Sequence, residues 1–117
     1  MNFQEWMADV KKQGKQVPRP LELLGKLDEN RVMAHLSDKK AAYSGDALPM
    51  KIKALIALAA GIALDSAPCI LNNTKAAKEA GASTAEILET FAVAKFSKGA
   101  TAISSALPAL EWLAESK

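Results

Sequence analysis

The sequence predicts an all-α fold, and three observations support that prediction. Half of the residues are apolar and few are aromatic, which is typical of a soluble protein with an Ala/Leu/Ile core. β-branched residues are sparse, and no run alternates apolar and polar side chains with the period of two that a strand requires. Apolar residues recur at helical spacing, between glycine, proline and capping residues. We expect about six helices in a single domain spanning residues 1–117, because a chain of this length holds one core.

The first part of the chain predicts three helices. Phe3 to Lys15 is amphipathic and is followed by prolines, which end helices. Pro20 is suited to the first turn of a short helix that continues to Leu27. Asp28 is then a candidate N-cap for a helix that runs to Tyr43, before a glycine. These boundaries depend on weak local signals.

The second part begins with the most apolar segment of the chain, Leu48 to Leu64. Because this segment is apolar almost all round, it predicts a helix at the buried centre of the fold. The next helix is expected from near Ser66 to Gly81, with a proline in its first turn and a glycine as its C-terminal stop.

Two further helical segments follow. Ser83 and Glu86 have the spacing of a capping box, in which each side chain bonds to the other residue's backbone N–H at a helix start. The last segment runs from Gly99 to Ser116, and Pro108 is expected to kink it.

Composition excludes several classes of function. The net charge is only +2 and the lysines are scattered, unlike the clustered basic surface of a nucleic-acid binder. The longest apolar run is about half of the ~20 residues that a membrane span needs, and no leader-like segment opens the chain, so we expect a cytoplasmic protein. One cysteine and one histidine form neither a disulfide framework nor a zinc cluster, so we expect no metal and no cofactor.

Cys69 is the residue with the most chemical potential. It falls in the first turn of its predicted helix, where free backbone N–H groups stabilise a thiolate. The alternative is a buried cysteine that acts as a small hydrophobe. Ser66 is either the N-cap of that helix or a hydrogen-bond donor to the thiol, and Asn73 can orient a ligand but cannot act as a base. His35, the only histidine, is read as a surface or interface residue.

Two motifs carry a resemblance to a known family. L-P-M-K-I-K-A-L-I-A-L-A-A-G-I-A-L, followed by C-I-x-x-x-T-K-A-A-x-E-A-G-A-S-x-x-E-I, resembles the core of the carboxymuconolactone decarboxylase family, which includes the alkylhydroperoxidase D proteins. The resemblance covers residues 48–102. It implies an alkylhydroperoxidase D-like helical bundle that assembles into homo-oligomers, often trimers or hexamers.

The resemblance also assigns site positions. The alkylhydroperoxidase branch uses two cysteines, a histidine and a glutamate, and Cys69 falls at its peroxide-reacting cysteine. Ser66 stands in place of the resolving cysteine, Asn73 in place of the histidine, and Ala54 in place of the glutamate. The histidine of the decarboxylase branch also falls at Asn73.

Three functions remain open on this reading. The first is a one-cysteine thiol peroxidase that reduces small hydroperoxides through Cys69 and is restored by an external thiol. The second is a family member that binds a small ligand without turnover. The third is a decarboxylase acting on a lactone acid, which the loss of the family histidine disfavours.

Overall fold

The computed structural model describes residues 1–116 and confirms the all-α prediction for them. The chain divides into two compact units, residues 1–46 and the part from residue 47 onward. Seven helices are present in the described residues, against about six expected. Each unit has its own buried residues and is described by itself.

The first unit contains α1 (Phe3–Lys12), α2 (Arg19–Leu27) and α3 (Glu29–Tyr43). Asp28 caps α3 as predicted, because its side chain accepts a hydrogen bond from the backbone N–H of Asn30 at 3.1 Å. The core of this unit contains Phe3, Gly25 and Val32. A methyl group on Gly25 would overlap the ring of Phe3, so the absence of a side chain there allows the Phe3 ring to lie against α2.

The second unit contains α4 (Met50–Ala63), α5 (Ala67–Glu79), α6 (Thr84–Ser105) and α7 (Leu107–Glu115). Helix α4 packs against both α5 and α6, which confirms that the most apolar segment is central to this unit. Its core side chains come from all three helices and the turn before α6: Ala54, Leu58, Ala77, Ala82 and Ile87. The core is therefore built largely from small and aliphatic residues, as the composition predicts.

The boundary between the last two helices differs from the expected one. Helix α6 continues through Gly99 and ends at Ser105, and α7 begins at Leu107 with Pro108 in its first turn. Glycine inside a helix costs only about 1 kcal/mol relative to alanine, which a long helix tolerates. Proline lacks the N–H that would bond to the carbonyl four residues earlier, so the break occurs just before Pro108.

Candidate functional site

The turn between α4 and α5 brings the start of α5 against the end of α4. Asp65 has a left-handed backbone with φ of 55°. The N–H of Ser66 donates to the carbonyl of Gly61 at 3.0 Å, and the N–H of Asp65 donates to the carbonyl of Ile62 at 3.2 Å. This pair of bonds is a Schellman motif, which closes α4 and reverses the chain within a few residues.

An ion pair ties the same turn to α6. The ammonium of Lys98 contacts the carboxylate of Asp65. The two side chains are 41% and 79% exposed, so water screens the pair and its contribution to stability is at most about 1 kcal/mol. Lys98 was not among the residues that sequence reasoning singled out, because nothing local to either residue predicts a contact across 33 positions.

Cys69 is the third residue of α5 and its thiol is free and exposed. The structure thus confirms its place in the first helical turn and does not support the alternative of a buried hydrophobe. Cys69 lies close to α4. A Cβ placed on Gly61 would be 3.2 Å from the Cβ of Cys69 and 3.4 Å from its carbonyl carbon. The glycine therefore permits the close approach that fixes the start of α5.

Ser66 occupies the N-cap position of α5, as predicted, but its side chain makes no capping hydrogen bond. Its carbonyl accepts from the N–H of Ile70 at 2.9 Å, which is the first bond of the helix. Because Pro68 has no N–H, the first turn presents fewer donors than most helices do. Ser66 is half-buried and lies about one turn before Cys69, at the N-cap of the same helix.

The other two family positions differ in their surroundings. Asn73 is half-buried on α5, one turn after Cys69 and about 6 Å further along the axis. Ala54 is only 3% exposed and belongs to the core of the second unit. It lies two helical turns before Gly61, the residue that Cys69 contacts, so it shares the face of α4 that packs on α5. A methyl group therefore fills the core position to which the resemblance assigns a glutamate.

His35 lies on α3 in the first unit and is exposed. This exposure agrees with the expectation of a surface or interface residue.

Glu86, in the first turn of α6, has a clearly shifted pKa. It completes the predicted capping box of α6: the N–H of Ser83 donates to its carboxylate at 2.9 Å, and its own N–H donates to the Ser83 hydroxyl at 3.0 Å. Its carboxylate also lies 3.0 Å from the ammonium of Lys51 on α4. These contacts lower the pKa of Glu86 below its ordinary value of 4.5, the backbone bond from Ser83 first and Lys51 next.

Residues 1–116 contain neither a cluster of metal-binding side chains nor a helix suited to span a membrane. No group of three or more His, Cys, Asp or Glu side chains is arranged to hold a metal ion. None of the described helices combines the length and the apolar character that crossing a membrane requires.

Comparison with known protein families identifies the family of this chain. The model of the carboxymuconolactone decarboxylase family matches residues 30–112, which is more than half of the chain and extends from α3 into α7. The match includes Ala54, Ser66, Cys69 and Asn73. No curated protein matched the sequence.

Proposed function

We propose that this chain, which belongs to the carboxymuconolactone decarboxylase family, is a thiol peroxidase that works with a single cysteine. The observation that carries the proposal is the exposed thiol of Cys69 in the first turn of α5. The thiolate is the nucleophilic form of cysteine, and its reaction requires access of the peroxide to the sulfur. Exposure gives a small hydroperoxide direct access to the sulfur.

The reaction begins with attack of the Cys69 thiolate on the outer oxygen of a hydroperoxide. The S–O bond forms as the O–O bond breaks, which leaves a sulfenic acid on the protein and an alkoxide that takes a proton from water. A first external thiol then attacks the sulfenic sulfur, releasing water and forming a mixed disulfide. A second thiol attacks that disulfide, which returns Cys69 and yields the oxidised disulfide of the reductant.

Ser66 and Asn73 are the residues that support this step. The Ser66 hydroxyl makes no capping bond and is one turn from the sulfur, so we assign it as a hydrogen-bond donor to the thiolate or the leaving oxygen. The Asn73 amide lies one turn beyond and orients the peroxide or a water. We place the reaction in the cytoplasm, where thiol reductants keep cysteines reduced.

A second candidate function is the binding of a small ligand without turnover. The observation that favours it is the lack of a proton relay: Ala54 is a buried methyl group, and Asn73 is an amide that cannot act as a base at neutral pH. The decarboxylase function is the weakest of the three, because the position of its family histidine is the same Asn73.

The test is peroxide consumption with a thiol reductant, combined with chemical trapping of sulfenic acid. Cys69 is the only cysteine, so every trapped sulfenic acid reports on it. Cys69→Ala keeps the Cβ that packs beside Gly61, and circular dichroism should show an intact fold. We expect the variant to lose trapping and peroxide turnover together. Equal turnover by the variant and the parent would refute the peroxidase proposal.

Ser66→Cys provides the matched gain-of-function variant. It introduces a second thiol one helical turn before Cys69, at the family's position for a resolving cysteine. If Cys69 forms a sulfenic acid, the introduced thiol condenses with it to a disulfide that mass spectrometry detects after one equivalent of peroxide. A sulfenic acid that is never formed leaves both thiols reduced under the same brief exposure, which favours the binding function.

A further inference from the structure

A cavity of about 390 Å³ lies in the first unit, between α1 and the junction of α2 with α3. Pockets that bind small molecules typically have volumes of about 300–1,000 Å³, so this cavity is large enough for a ligand of amino-acid size. All of its lining residues lie between Phe3 and Glu29. None of them falls in residues 30–112, which match the family, or among the residues assigned to the Cys69 site.

The base of the cavity is apolar. Phe3 is only 2% exposed, and its ring lies against Gly25, where a side chain would overlap it. Met7 is half-buried and lies one turn further along α1. Leu27 is 86% exposed at the end of α2, so most of its side chain is free to contact a ligand. Met7 and Leu27 therefore offer apolar surface to a bound molecule, and covering that surface is favourable.

Five charged side chains line the cavity, and three of them already have partners within the unit. Glu22 pairs with Lys26 at 3.8 Å, and Asp28 accepts the capping hydrogen bond at the start of α3. The other two are Lys11, in the last turn of α1, and Glu29, the first residue of α3. Neither side chain makes an ion pair or a hydrogen bond with any described residue, and they do not pair with each other. The cavity thus presents one free ammonium and one free carboxylate.

These two free charges define the chemistry of the occupant. The carboxylate of a ligand is attracted to Lys11, and the ammonium of a ligand is attracted to Glu29. An apolar group on the same molecule covers Met7 and Leu27. We propose that the cavity binds a small zwitterion with an apolar side chain, of which a free apolar amino acid is the simplest. This inference does not depend on the peroxidase proposal.

Titration of the isotope-labelled full chain with L-phenylalanine, followed by its amide NMR resonances, measures both the location and the dissociation constant of binding. We expect the resonances of residues 3–29 to move. Two further probes each lack one charge: phenethylamine has no carboxylate, and phenylpropionate has no ammonium. Because an exposed ion pair contributes little, we expect each of these probes to bind roughly 2- to 5-fold more weakly than phenylalanine.

Lys11→Gln and Glu29→Gln separate the effects of the two charges. Lys11→Gln should weaken phenylalanine binding roughly 2- to 5-fold without weakening that of phenethylamine, which has no carboxylate to lose its partner. Glu29→Gln should weaken phenylalanine binding by a similar factor without weakening that of phenylpropionate. Both side chains are exposed and unpaired, so both variants should fold. The controls Lys12→Gln and Asp38→Asn remove charges from the same two helices outside the cavity, and they should bind phenylalanine as the parent does.

Three results would overturn the proposal. Resonances of residues 3–29 that stay in place up to the solubility limit of phenylalanine show that the cavity does not take up such a molecule. Equal dissociation constants for phenylalanine and either of the other probes show that one charge is enough, so that the ligand is a simple apolar amine or acid. Equal binding of phenylalanine by the parent, Lys11→Gln and Glu29→Gln shows that neither charge contacts the ligand. The comparison of the three probes uses the parent alone, so it decides the matter even if a variant does not fold.

Discussion

Gly61→Ala tests how tightly the candidate site is packed against α4. The new Cβ would lie 3.2 Å from the Cβ of Cys69 and 3.4 Å from its carbonyl carbon. Carbon atoms in contact prefer about 3.5–4.0 Å, so the start of α5 has to move by a few tenths of an ångström. Overpacking of this kind costs about 1–3 kcal/mol, and replacing a helical glycine by alanine returns roughly 0.5–1 kcal/mol. We expect a net loss of up to about 2.5 kcal/mol.

Thermal unfolding followed by circular dichroism at fixed protein concentration measures this loss. For a unit of this size, 1 kcal/mol corresponds to a shift in melting temperature of roughly 4–8 °C. A double-mutant cycle identifies the cause. Cys69→Gly removes the Cβ that the new methyl group meets, so it should relieve about 1 kcal/mol of the Gly61→Ala loss. Cys69→Ala keeps that Cβ and should relieve nothing.

Two outcomes would contradict this account. A higher melting temperature for Gly61→Ala would mean that the helix gain dominates and that α5 has room to move away from α4. Equal coupling for Cys69→Gly and Cys69→Ala would mean that the contact between the two Cβ atoms is not what resists the methyl group.

Two further predictions concern stability away from Cys69. The pKa of Glu86 is lowered in the folded protein, so the carboxylate's stabilising effect is present above the unfolded pKa and is lost as the pH falls through the folded pKa. Urea denaturation between pH 7 and pH 3 should therefore show a smaller loss of stability for Glu86→Gln than for the parent. The control variant Glu89→Gln should lose as much stability as the parent does. Gly25→Ala should cost about 2–4 kcal/mol in urea denaturation because the methyl group displaces the buried ring of Phe3. Gly99→Ala, which adds a methyl group in open space inside α6, should raise stability by about 0.5–1 kcal/mol in the same measurement, and a loss equal to that of Gly25→Ala would refute the steric argument.

Local signals in the sequence predicted most of the helices. Asp28 and the pair Ser83 and Glu86 mark helix starts because a cap requires only residues within one turn of each other. The same kind of signal opens α1, where Asn2 and Glu5 form a capping box that the sequence reading did not use. The helix starts could therefore be predicted well from short segments.

Contacts between distant residues could not be predicted in this way. The ion pairs that join Lys98 to Asp65 and Lys51 to Glu86 depend on how α4, α5 and α6 pack together. The exposure of Cys69 also depends on packing and could not be predicted locally, because a cysteine in a first helical turn can be either buried or exposed to solvent. The resemblance assigned Cys69 to the site, but the sequence could not show whether its thiol is exposed or in the core. That depends on how α5 packs on α4.

The burial of Ala54 has a consequence for how such a site changes over evolutionary time. Positions 66, 69 and 73 are exposed or half-buried at the start of α5 and along it, so single substitutions there can add or remove reactive groups while the core stays intact. Position 54 is different, because a carboxylate there would be enclosed among aliphatic side chains and would require neighbouring core residues to change with it. A cysteine or a histidine can therefore be introduced at the surface positions by one substitution, whereas a carboxylate at position 54 also requires changes in the side chains around it.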